Sequence, residues 1–122
     1  MTTHRASLAF TLLAFALVAY GADFSGKWQW QTMASGGRVQ YTLTLKQDGE
    51  SLTGVLGSEG DEMAIRDGKV NGDKISFAVT RKWGTREMTM TYTGRLAGDE
   101  IRFKVLMPGA ERSWDVTAKR AP

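Results

Sequence analysis

The sequence predicts an all-β fold: a single antiparallel up-and-down β-barrel of eight strands that follows an N-terminal signal peptide. One observation is a repeated turn, because Gly68–Val79 returns as Gly94–Val105 and residues 48–52 echo its centre. Gly, Asn and Asp tolerate the positive φ that short hairpins need, so the repeat indicates β-hairpins. The segments between turns also alternate apolar and polar residues, and none after residue 22 has a helical period.

The first 21 residues have the pattern of an export signal. His4 and Arg5 precede an apolar stretch over residues 6–18, and small residues at Ala19 and Gly21 predict cleavage after Gly21, or alternatively after Ala22. The apolar stretch is shorter than the roughly 18–20 residues that span a bilayer. We therefore expect a signal peptide over 1–21, a barrel domain over 22–122, secretion or a periplasmic location, and no stable membrane anchor after cleavage.

The first half of the domain predicts four strands, each with one apolar and one polar face. Their expected bounds are Gly26–Thr32, Arg38–Gln47, Ser51–Gly57 and Glu62–Val70. Trp28 and Trp30 share the inward face of the first strand. In the fourth strand the apolar phase changes at Asp67-Gly68, which predicts a β-bulge.

The second half predicts four more strands with the same alternation. Their expected bounds are Lys74–Lys82, Arg86–Leu96, Glu100–Met107 and Arg112–Arg120. The alternation is clearest in the sixth strand, where Met90 and Tyr92 point inward between outward threonines. In the eighth strand Trp114 shares the inward phase of Val116.

The connections are of two kinds. Tight turns are predicted at 48–49, 71–73 and 97–99, and longer links at 33–37, 58–61, 83–85 and 108–111. In an up-and-down meander alternate links lie at opposite ends, so tight turns and longer loops should gather at different ends. Closing the sheet into a barrel removes both exposed edges; a two-sheet β-sandwich is the alternative.

Composition excludes several classes of function. The chain has no cysteine, and its only histidine is His4, so an exported domain would lack both imidazole and thiol groups. Catalytic sites built on Ser-His or Cys-His pairs and ordinary zinc sites are therefore excluded. We expect a non-catalytic protein with no cofactor and no metal. The net charge of +3 is small and the cations are interspersed along the strands, so we expect no nucleic-acid partner.

Gly26-Lys27-Trp28 resembles the Gly-x-Trp signature of calycins, the group of small β-barrels that includes lipocalins and avidins. The resemblance implies that Trp28 plugs the closed end of the barrel and that an arginine near the end of the last strand packs across it. Arg120 is the candidate for that arginine, with Lys119 as a lesser option, and Gly26 opens the motif. The chain also resembles small exported bacterial β-domains of unassigned function.

The inward-facing aromatic and methionine side chains suggest a ligand site. Trp30, Tyr41, Met90 and Trp114 are expected to line a small pocket under the longer loops, with Gly54 leaving space beside them. A small apolar or aromatic molecule, or a sugar, would fit such a lining. The alternative is that the barrel fills itself with its own side chains.

Trp83 suggests a second site. It stands at a predicted hairpin tip between Lys82 and Arg86, where an exposed indole could anchor an extracellular protein, as in an enzyme inhibitor. The alternative is that Trp83 folds over the barrel mouth as a lid. The acidic segment 58–62 matches no calcium-binding spacing, and we interpret it as a solvated loop.

Overall fold

The structure, a computed structural model, describes residues 23–34, 36–109 and 111–122, except for the side chains of Ala34 and Trp83. The predicted signal peptide over 1–21 lies outside these residues. The described chain forms nine strands: β1 Gly26–Ala34, β2 Gly37–Asp48, β3 Ser51–Ser58, β4 Asp61–Ala64, β5 Arg66–Asn71, β6 Lys74–Trp83, β7 Arg86–Ala97, β8 Glu100–Met107 and β9 Arg112–Arg120.

The strands form one closed antiparallel sheet. Neighbouring strands follow the order β2-β1-β9-β8-β7-β6-β5-β3, and a further β2–β3 ladder closes the circle, while β4 extends from β3. The predicted all-β barrel of eight strands is thereby confirmed, with one additional strand. No helix in the described ranges is long and apolar enough to cross a membrane.

The extra strand arises because the predicted fourth strand is broken into β4 and β5. β4 pairs with the second half of β3, from Val55 to Ser58, whereas β5 pairs with the start of β3 and with β6. The β5–β6 register shifts between Arg66 and Lys69, and Asp67 has a φ of 53°. The β-bulge predicted at Asp67-Gly68 is therefore confirmed, and the added twist of such a bulge turns β4 away from β6.

The three predicted tight turns share one geometry. Gly49, Gly72 and Gly98 have φ values of 64°, 64° and 66°, each at the first central position of a two-residue loop, as type II′ hairpin turns require. The prediction of longer links at the opposite end is mostly wrong. There the strands continue further than expected, so that Ala34 pairs with Gly37, Ser58 with Asp61 and Trp83 with Arg86. Only the β8–β9 link, residues 108–111, is longer than two residues among these four.

The two ends of the barrel differ in how they are filled. At the end that holds the three type II′ turns, which we call the closed end, Phe24 and Trp28 are fully buried. Above them Phe77, Tyr92 and Phe103 form a packed aromatic cluster, with ring centroids 4.9 to 5.8 Å apart. The lower part of the interior is thus filled by the protein's own side chains.

At the other end, the open end, the sheet is not paired all the way round. The β1–β9 ladder consists of two residue pairs near the closed end, Trp28–Arg120 and Gln29–Lys119. Within the described residues no ladder joins β4 to β6. Two breaks in the wall therefore rise from the middle of the barrel to the open end.

Candidate functional site

A cavity of about 400 Å³ lies at the open end, beside the break between β1 and β9. Its volume falls within the range of about 300–1,000 Å³ typical of small-molecule sites. Strands β1, β2, β6, β7, β8 and β9 all contribute to the wall. The lining side chains are Trp30, Thr32, Met33, Tyr41, Arg81, Met90, Tyr92, Met107, Arg112, Trp114 and Val116. The structure thus brings Trp30, Tyr41, Met90 and Trp114 together in one cavity.

The floor of the cavity is aromatic and apolar. Trp30, Met90 and Tyr92 are each less than 8% exposed. The Trp30 indole stacks on the Tyr41 ring, with centroids 5.3 Å apart and planes inclined by 14°. It also lies 6.4 Å from the Tyr92 ring. These contacts fix the indole on the aromatic cluster below it, so the floor is a preformed flat surface.

The mouth of the cavity is cationic and partly open. Trp114 is 37% exposed, so it stands at the rim rather than in the core, where its inward phase had placed it. Arg112 is exposed beside it and Arg81 is half-buried. The Arg81 guanidinium carbon lies 5.8 Å from the centre of the Tyr41 ring, a cation–π distance. A ligand on the aromatic floor would therefore have two guanidinium groups at its outer end.

Tyr92 contributes a polar group to this apolar floor. Its hydroxyl makes no hydrogen bond to another residue in the described ranges. Every fully enclosed side-chain N or O atom in those ranges has a hydrogen-bond partner, so the Tyr92 hydroxyl is not fully enclosed. The hydroxyl therefore borders open space in the cavity. Burial, together with the neighbouring Tyr41, raises the Tyr92 pKa to about 12, against the opposing effect of Arg81. Tyr92 is thus a neutral phenol at physiological pH and can donate a hydrogen bond to a ligand.

A second, wider space of about 770 Å³ fills the break between β4 and β6. Its β4 side carries Glu59, Asp61 and Glu62, and its β6 side carries Arg81 and Lys82. In the described part of the chain, no three acidic side chains are grouped in a way that could hold a metal ion. Tyr41 and Arg81 line both spaces, so they form the partition between them.

The closed end is built from Trp28, Arg120 and the segment before β1. The Arg120 guanidinium carbon lies 4.2 Å above the Trp28 ring, and its two terminal nitrogens donate to the carbonyls of Ser25 and Asp23, both at 3.1 Å. The Trp28 indole N–H donates to the Phe24 carbonyl at 3.0 Å. A Cβ on Gly26 would lie 3.2 Å from the Arg120 guanidinium, so glycine permits this close approach.

The expectation for Gly54 is wrong, whereas the one for Trp83 stays a prediction. Gly54 leaves no space for a ligand: it pairs with Leu45, and a Cβ there would lie 2.2 Å from the Thr44 carbonyl oxygen. It allows two strands to approach instead. For Trp83, the backbone ends β6 opposite Arg86, but its side chain lies outside the described part of the structure.

Several lining residues were missed from the sequence, although their phase could have identified them. Arg81 continues the inward series of Phe77 and Val79, and Arg112 precedes Trp114 in the same phase; Met107 follows Val105 likewise. Both arginines lie within the predicted strands Lys74–Lys82 and Arg112–Arg120, but only apolar and aromatic side chains were expected to point inward. Phe24 was also missed, since it precedes the first strand and has no periodicity.

Comparison of the chain with known protein families, with curated proteins and with solved structures finds no match. The function is therefore argued from the geometry of the cavity.

Proposed function

We propose that this protein is a non-catalytic binding protein that takes a small aromatic or apolar ligand, bearing an anionic group, into the cavity at the open end. The observation that supports this most strongly is the polarity of the cavity. Its floor of Trp30, Met90 and Tyr92 is buried, and its mouth holds Arg81 and Arg112. A flat apolar body would stack on the floor while a carboxylate, sulfonate or phosphate met the guanidinium groups.

A sugar is the other ligand class that this lining would suit. The Trp114 indole, 37% exposed at the rim, offers a stacking face, and the Tyr92 hydroxyl offers a hydrogen bond. The buried floor gives fewer polar partners than sugar hydroxyls need. We therefore place the sugar second.

The closed end supports assignment of the fold to the calycin type. Trp28 is buried beneath the Arg120 guanidinium in an eight-stranded meander, which is the arrangement implied by the Gly26-Lys27-Trp28 resemblance. Export through a signal peptide at 1–21 belongs to the same proposal, and would place the barrel in the periplasm or outside the cell.

Fluorescent probes test the ligand class directly. Anilinonaphthalene sulfonate is an aromatic probe with an anionic sulfonate group. Phenylnaphthylamine has a comparable aromatic ring system but no charge. We expect both to bind with micromolar affinity and to shift the tryptophan emission. Trp30→Ala should abolish binding of both probes, whereas Arg112→Gln should weaken only the anionic probe, by about tenfold, the loss of one charged contact. Failure of either probe to bind the native protein would contradict the proposal.

The alternative function, a protein-interaction module such as an extracellular enzyme inhibitor, depends on Trp83 instead. The same assay separates the two, because Trp83→Ala should leave probe binding unchanged if the cavity is the site. Trp114→Arg serves as a second cavity variant, since a rim residue can be replaced without removing core packing. Loss of binding in Trp83→Ala, with retention in Trp114→Arg, would favour the interaction module.

A further inference from the structure

The outer face of the barrel carries a cationic trough at the β6–β9 side, away from the cavity. Strand pairing places Lys74 opposite Arg95 and Arg95 opposite Arg102. These three cations therefore stand in one row that runs across the strands, and Thr117 continues it on β9. The sequence separates them by up to 28 positions, so their clustering is visible only once the register is known.

A second row runs parallel to the first, two residues along each strand. It consists of Thr93 opposite Lys104 and Lys104 opposite Asp115. Between the rows, Phe103 and Val116 point their side chains inward and Gly94 has no side chain, so only backbone lies on the outer face there. The result is a trough of about 580 Å³ with a backbone floor, bordered by four cationic side chains and one carboxylate.

Although Asp115 lies opposite Lys104, none of the four cations forms an ion pair within 4.0 Å with another described residue. In the described part of the chain, the one ion pair within 4.0 Å joins Lys82 and Glu87, at the other end of β6. Like charges directly opposite one another on a sheet are destabilising, so the Arg95–Arg102 pair costs stability that an anion would restore. Arginine also binds sulfate, phosphate and carboxylate groups through two parallel hydrogen bonds.

We propose that the trough binds a linear acidic polysaccharide, lying across strands β6 to β9. Adjacent strands are about 4.8 Å apart. Each strand from β6 to β8 contributes one cation to the row, so neighbouring cations are separated by about the length of one sugar unit. Thr93 and Thr117 add hydroxyl groups for hydrogen bonds to the sugar. This site is separate from the cavity and does not depend on the proposed ligand.

The same surface suits other polyanions less well. Single-stranded nucleic acids are held by aromatic side chains that stack on the bases. Among the described residues the one aromatic side chain that borders the trough, Phe103, is 2% exposed. A membrane surface would need several apolar side chains to enter it. On this face Leu106 is the one large apolar side chain with substantial exposure in the described residues.

The test measures binding of the full chain to heparin and to polygalacturonate by titration at several salt concentrations, with neutral dextran as the blank. The double variant Arg95→Gln/Arg102→Gln should weaken binding at least tenfold and reduce its salt dependence. Arg38→Gln/Lys46→Gln removes the same charge from exposed positions on β2 and should weaken it less than twofold. The Arg95/Arg102 variant should unfold no more easily than the native protein, so loss of binding cannot be ascribed to unfolding.

Three outcomes would overturn the proposal. Equal weakening in the two double variants would mean attraction by net charge alone. Tighter binding of an oligothymidylate of matched charge would assign the trough to nucleic acid. Tighter binding to phosphatidylglycerol vesicles would assign it to a membrane surface.

Discussion

Tyr92 shows how a single buried polar group can give a cavity chemical character. Its ring is held in the aromatic cluster, 4.9 Å from Phe77 and parallel to it within 10°. Its hydroxyl borders the cavity, and the pKa of about 12 keeps it protonated well above neutral pH. A ligand on the floor would therefore meet one fixed hydrogen-bond donor beneath the two guanidinium groups of Arg81 and Arg112.

The raised pKa of Tyr92 makes a prediction about alkaline stability. Between about pH 10 and pH 12 the unfolded tyrosine releases its proton while the folded one keeps it, so the free energy of unfolding falls as pH rises. Each pH unit in this interval costs up to about 1.4 kcal/mol. Tyr92→Phe should lack this component of the decline, as measured by urea unfolding at pH 8 to 12.

Tyr41→Phe is the comparison variant for that measurement, since it leaves Tyr92 buried and removes only the smaller contribution of the Tyr41 hydroxyl to the raised Tyr92 pKa. It should therefore keep most of the alkaline decline of the native protein. An identical alkaline decline in Tyr92→Phe and the native protein would show that Tyr92 keeps an ordinary pKa.

The bulge in β5, between Arg66 and Lys69, is the feature that departs furthest from a regular meander. It allows β5 to stay paired with β6 while β4 leaves with β3, and so opens the second space in the wall. Gly68 makes this possible because it lies directly on β3. A Cβ there would be 2.1 Å from the Leu52 carbonyl oxygen and 2.9 Å from the Leu52 Cβ.

Substitution of that glycine tests how firmly the bulge is held. Gly68→Ala should lower the free energy of unfolding by about 1–3 kcal/mol, since the backbone of Leu52 cannot move aside without breaking the β3–β5 ladder. Gly36→Ala is the control, because nothing lies within 4 Å of its added Cβ; it should change stability by less than about 0.5 kcal/mol. Equal effects in urea unfolding would mean that β5 can shift away from β3.

Strand positions were predictable from the sequence because each strand buries one face and exposes the other, so its apolar and polar residues alternate. The phase change at Asp67-Gly68 also predicted the bulge. The separation of β4 from β6 was not predictable, since no local pattern reports whether two neighbouring strands remain paired. The cavity residues Trp30, Tyr41, Met90 and Trp114 followed from phase alone, whereas the row of Lys74, Arg95 and Arg102 needed the register of three strands.

At the scale of the whole molecule, the barrel is more firmly closed at one end than at the other. The Lys27 carbonyl accepts a hydrogen bond from Ala121 at 2.8 Å, so Lys27, Gln29, Gln31 and Met33 direct their backbone groups toward β9. The ladder ends at Gln29–Lys119. Gln31 and Met33 therefore have no β9 partner, and the wall beside the cavity is free to part.

Amide hydrogen exchange measures this difference residue by residue. The amides of Trp30 and Thr32, which face β2, should exchange slowly together with Gln29. Those of Gln31 and Met33 should exchange at least a hundredfold faster, because they lack a partner within the sheet. Uniform protection along β1 would show that β1 and β9 remain joined to the open end, and would remove the side entrance to the cavity.

The hydrogen bond from Arg120 to the Asp23 carbonyl joins the end of β9 to the segment before β1 at the closed end. A group attached at Asp23 or after Pro122 would lie there, at the end of the barrel opposite the cavity mouth. A fluorescent protein or surface tether attached at either position should therefore leave both ligand entry and the flank of the barrel unobstructed. That orientation makes the domain suitable for display on a sensor chip without redesign.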